Sequence, residues 1–67
     1  MMTYTQLLEY VRRGDLEGLG AFDLQAAYAC TGSSNVLKMF KKRFPNEAVK
    51  LSKEDKEYLR RKGFPIR

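Results

Sequence analysis

The stretch that decides the fold is Asp23-Leu-Gln-Ala-Ala-Tyr-Ala-Cys-Thr-Gly-Ser-Ser-Asn-Val-Leu-Lys-Met-Phe-Lys-Lys-Arg-Phe44. It reads as two helices joined by a very short turn. Asp23 is a good N-cap, because its carboxylate accepts from free backbone N–H groups, and Phe22 before it can staple onto Ala27. The helix Leu24–Cys30 carries Ala26, Ala27 and Ala29, small side chains that let a neighbouring helix come close. Thr31-Gly32-Ser33 breaks it, with Gly32 free to take positive φ. The next helix starts at Ser34, capped by Ser33 or Ser34, and runs to Phe44, where Pro45 stops it. On a helical projection Val36, Leu37, Phe40 and Phe44 share one face. Asn35, Lys38 and Lys42 take the other, with Met39 near their edge and Lys41 and Arg43 flanking the apolar face. No acid occurs from Ser33 to Pro45.

Working outward, Tyr4, Leu7, Leu8 and Val11 fall at i, i+3, i+4 and i+7, which predicts a first helix Tyr4–Arg13. Thr3 or Thr5 caps it and Gly14 ends it. Asp15–Gly20 is too rich in glycine for more than one turn, and Leu16 and Leu19 are expected to plug the core. After Pro45, Ala48–Leu51 reads as a short extended segment, a vestigial wing, with Ala48 and Val49 against the core. Ser52 with Asp55 three residues on resembles a capping box and starts a fourth helix, Lys53–Lys62, whose thin apolar stripe is Tyr58 and Leu59. The last residues, from Phe64, either fold back or stay loose. The predicted fold class is mostly α: one small three- to four-helix domain spanning 1–67, with the paired helices at 23–44 and a basic C-terminal helix at 53–62.

Composition excludes much. The 67 residues include no His, no Trp and one Cys. That removes histidine acid–base chemistry, Cys–His and Ser–His nucleophile pairs, Cys/His zinc sites and intrachain disulfides. A chain of this length buries only about 60% of its unfolded surface, which leaves no room for a two-lobed catalytic cleft. The expectation is a non-enzymatic protein with no cofactor and no metal. The longest fully apolar run is Ala26–Cys30, far short of the ~18 residues of a membrane span. Met1-Met2-Thr3-Tyr4 lacks a basic segment followed by an apolar one. The expected location is cytoplasmic, away from membranes, and the lone Cys30 fits as an inert core thiol.

Charge is the positive clue. The net charge is +5, but residues 1–33 carry −2 and residues 34–67 carry +7. Such asymmetry suits a polyanion at one end of the molecule. Lys38, Lys41, Lys42 and Arg43 suit phosphate oxygens, and Asn35 can pair with an adenine edge. Free N–H groups at the helix start, with Ser33 and Ser34, can hold a phosphate. Arg60 and Arg61, with Lys62 and Arg67, make a second basic group able to clamp the backbone or an adjacent groove. Glu54, Asp55 and Glu57 fit a helix start, not a catalytic carboxylate pair.

Helix, glycine-containing turn and basic second helix make residues 23–44 resemble the helix-turn-helix and winged-helix DNA-binding families. The resemblance implies a recognition helix that enters the major groove with its N-terminal residues. By it Ala27 is the close-packing position, Gly32 the turn, and Ser33, Ser34, Asn35, Lys38 and Lys42 the surface for DNA. In this chain Val36 follows Gly32 by four residues, about one fewer than in common versions of the motif. The expected partner is double-stranded DNA, bound by a homodimer or a cooperative assembly, with Tyr10 offered to the second protomer. Two other readings stand beside it. One is a module of the same fold that binds and modulates another protein. The other is a basic RNA-binding protein, although no aromatic interleaves the Lys run.

Overall fold

A computed structural model of the chain describes residues 2–66; Met1 and Arg67, the latter a member of the C-terminal basic group, lie outside it. Four α-helices follow one another: α1 (Tyr4–Arg13), α2 (Ala21–Thr31), α3 (Ser34–Arg43) and α4 (Lys53–Arg61), with a 3-10 turn at Leu16–Gly18 between α1 and α2. The protein is mostly α, as the patterning required. No strand occurs among the described residues, so Ala48–Leu51 forms no wing. The segment has no second strand to pair with, and a lone strand cannot satisfy its backbone. It is held by a side chain instead: the Gln25 amide Nε2 donates to the Ala48 carbonyl at 3.0 Å. Leu51 is buried and Val49 half-buried, whereas Ala48, expected inside, is exposed.

The helix ends show which local signals won. Of the two threonines, Thr3 caps α1, accepting from the Gln6 N–H at 3.2 Å while the Gln6 side chain accepts from the Thr3 N–H at 2.9 Å. That reciprocal pair satisfies two of the free donors at the helix start. α2 begins earlier than expected, at Ala21 with Gly20 as N-cap. Asp23 therefore lies in the first turn, where its charge complements the helix dipole without a capping bond. Phe22 lies inside the helix, so the predicted staple is not made. α3 is capped by Ser33 and stops at Arg43, one residue short of Phe44. Ser52 caps α4 by accepting from the Asp55 N–H at 3.1 Å, and the helix ends at Arg61.

One apolar cluster joins these pieces, and it contains no buried polar or charged side chain. α2 runs through it with Leu24, Ala26, Ala27 and Cys30 buried. α3 packs on α2 more extensively than any other pair of elements does, through Val36 and Phe40. Leu7, Leu16 and Leu19 close the other side. Leu37 remains only half-buried, at the flank of α3 and not in its buried face. Tyr58 is 37% exposed, so α4 presents Leu59 alone to the core. The missing apolar area comes from the chain end, which folds back: Phe64 is 3% and Ile66 9% exposed. The Phe64 N–H donates to the Leu59 carbonyl at 3.0 Å, and its ring meets Tyr4 edge-on at 5.7 Å. Tyr10 is half-buried over Gly18, where an added Cβ would stand 3.0 Å from its ring. It is packing within the protomer, which leaves less of it for a second copy.

Two truncations test this core. Phe40→Ala removes a fully buried ring and should cost about 3–5 kcal/mol. A domain of this size holds roughly 3–10 kcal/mol in all, so the variant should be largely unfolded at room temperature by circular dichroism. Phe64→Ala should shift the urea midpoint strongly downward; an unchanged midpoint would show that the C-terminal fold-back contributes nothing.

Candidate functional site

The site begins at the turn between α2 and α3. Gly32 has φ +66°, a left-handed conformation that a side chain would strain, and its N–H donates to the Tyr28 carbonyl at 2.8 Å. Thr31 works on both sides of it. Its hydroxyl donates to the Ala27 carbonyl at 2.7 Å and accepts from the Ser33 N–H at 3.2 Å. Ser33 then accepts from the Val36 N–H at 3.4 Å. Two residues thus link the helices, and each bond constrains the direction in which α3 leaves.

α3 carries its lysines, Lys38, Lys41 and Lys42, exposed. Ser34, Asn35, Lys38, Lys41 and Lys42 are exposed, and Ser33 is half-buried as the cap. Asn35, Lys38 and Lys42 come together with Ser33 along an open groove of about 360 Å³. Val11 of α1, Gly14 just after it, Leu16, Val36 and Met39 complete its lining. None of the α3 lysines is ion-paired: among the described residues the one ion pair is Arg12–Glu9, 3.3 Å apart on α1. Ser34 and Lys41 lie beside the groove and do not line it.

Arg43 is placed differently from the lysines. Its guanidinium donates to the Leu16 carbonyl at 3.2 Å and to the Leu19 carbonyl, and lies 5.1 Å from the Phe44 ring centre. It fastens the 3-10 turn to α3, adding a second donor to the Leu16 carbonyl, which already accepts from the Leu19 N–H at 3.1 Å, and supplying one to the Leu19 carbonyl. Arg60 and Arg61 separate as well, because successive residues on a helix lie about 100° apart. Arg60 lines a second hollow together with Lys50, Lys53 and Lys56; Arg61 is exposed and does not. The sequence reading missed Lys50, Lys53 and Lys56. The spacing 53, 56, 60 was the available signal, an i, i+3, i+7 stripe of cations like the apolar stripes that were read.

Elsewhere the surface offers little chemistry. No three metal-capable side chains gather among the described residues, and no helix is long and apolar enough to cross a membrane. Burial pushes the Cys30 thiol above its ordinary pKa, so it stays protonated near neutral pH. Compared with protein-family models, curated proteins and solved structures, the chain finds no match.

Replacing Arg43 separates its two uses. Arg43→Met should lower stability by about 1–2 kcal/mol, because two charge-assisted bonds are lost at a partly exposed position. Lys42→Ala should stay within about 0.5 kcal/mol of the parent; equal effects in urea melts would contradict the assignment. Cys30 predicts a pH effect of definite sign. Its raised pKa means that the folded state holds the proton more tightly. The associated stability is full below the ordinary value of 9.0 and is lost as pH rises through the folded value. Cys30→Ala should therefore lose less stability than the parent between neutral and strongly alkaline pH.

Proposed function

We propose that the protein is a small non-enzymatic double-stranded DNA-binding protein, a transcriptional regulator or an architectural factor, that lays α3 in the major groove. The observation that carries this reading is the convergence of Ser33, Asn35, Lys38 and Lys42 on one open face, with no carboxylate partner among the described residues. Asn35 and Lys38 occupy the early turns of α3, where a recognition helix reaches base edges. Lys42 occupies its last turn, where such a helix passes the backbone. Lys41, exposed beside them, adds a phosphate contact, and the arginines of α4 add more. The helix–turn–helix arrangement of residues 23–44 supports the same reading. A dimer would place two α3 helices on successive half-sites about one helical turn of DNA apart.

The apolar part of the groove, Val11, Leu16 and Met39, favours one other reading. An α3 surface that binds another protein would cover the half-buried Val11 and Met39 with a partner side chain. Salt separates the two. Two lysines on phosphates, Lys41 and Lys42, predict a slope of log K against log salt of about −2 from α3 alone. A slope near zero, or no duplex binding at low salt, would sink the DNA reading and promote the protein partner. Competition by double-stranded RNA at equal strength would promote RNA.

Single substitutions then divide affinity from specificity. Lys42→Ala should weaken all duplexes alike and reduce the slope by roughly 1. Asn35→Ala or Lys38→Ala should cost about 1–3 kcal/mol on a selected site and much less on a scrambled one. If neither loses discrimination on sites selected from random duplexes, α3 docks by charge and reads no sequence.

A further inference from the structure

We propose that the hollow between the 48–52 segment and α4 is a second phosphate-binding patch, seated on the backbone of a DNA duplex and separate from α3. Lys50, Lys53, Lys56 and Arg60 line it, and no carboxylate does. Among the described residues none of the four makes an ion pair, although α4 also carries Glu54, Asp55 and Glu57. The α4 cations lie on one stripe. From residue 53 to residue 60 the helix rises about 10 Å, and one DNA strand advances about 3.4 Å along the axis per phosphate. Three such steps span four successive phosphates, so each of the three cations has one within reach. Lys50 joins from a different element, and the neighbouring Ala48 carbonyl is fixed to α2 by Gln25.

The rest of α4 is arranged consistently with this. Arg61 falls on another side, and the Lys62 ammonium lies 5.7 Å from the Tyr58 ring centre, outside the hollow. Glu57 is the acid bordering the stripe, four residues from Lys53 and not paired with it. The hollow shares no lining residue with the α3 groove. Its contribution to binding is then additive with that of α3 and independent of base sequence.

The patch rests on the DNA-binding reading for the identity of its ligand, but not on α3 as the reader. The test is anisotropy of a labelled duplex between about 50 and 200 mM KCl. It compares the full chain with Lys53→Gln/Lys56→Gln/Arg60→Gln, with Lys38→Gln/Lys42→Gln and with Glu57→Gln, thermal melts confirming that each is folded. The triple variant should reduce the salt slope by about 2–3, equally on selected and scrambled sequences. The α3 pair should reduce it by about 1, through Lys42, and the effects of the two variants on the slope should add. Glu57→Gln should tighten binding, which a merely structural residue would not do. An unchanged slope in a folded triple variant overturns the patch and leaves the α3 reading standing. Loss of binding in the triple variant with no effect of the α3 pair upholds the patch and overturns the α3 reading. No binding by the parent protein at the lowest salt overturns both.

Discussion

The exposed face of α3 depends on how that helix is set against α2. Two residues connect them, and Gly32 must sit in the left-handed region for the chain to reverse in that distance. Thr31 and Ser33 spend their hydroxyls on the backbone groups that the turn exposes. Ala26 and Ala27 then remove the bulk that would hold the helices apart. With the axis fixed, the buried positions Val36 and Phe40 fix the rotation of α3 about it. The positions of Asn35, Lys38 and Lys42 follow from that rotation. A change of one residue in the turn would swing them by about 100°.

The same economy extends to charge. The buried cluster takes no polar side chain, so among the described residues no cation is buried. One cation, Arg43, ties two elements together through backbone carbonyls. The α3 lysines and the hollow beside α4 have no such duty. A small domain with few apolar residues to spare also explains the C-terminal fold-back. α4 contributes Leu59, and Phe64 and Ile66 supply the burial that the helix does not.

Much of this was legible in the sequence. The 3.6-residue pattern gave α1, α3 and α4 to within a residue or two, and Leu16 and Leu19 were recognisable as core. The turn was identifiable because Gly32 is flanked by hydrogen-bonding side chains. The start of α2 was not. Asp23 is a strong capping residue, but Gly20 in extended conformation began the helix sooner and left the carboxylate in the first turn. The vestigial wing failed because β-propensity in Ala48–Leu51 has no partner strand to act on. Arg43 read as one more cation in a run, since nothing local shows that Leu16 and Leu19 carbonyls lie within its reach. The cation stripe of α4 was written in the spacing and was obscured by the acids between its members.

The central claim is that the exposed face of α3 is where a duplex binds. The most direct measurement is a titration of the ¹⁵N-labelled protein with a DNA duplex, following each amide resonance. The account predicts the largest shifts at Ser33–Lys42 and smaller ones along Lys50–Arg60, with the exposed side of α1 at Gln6 and Glu9 unmoved. Shifts confined to α1, or absent throughout at low salt, would contradict it.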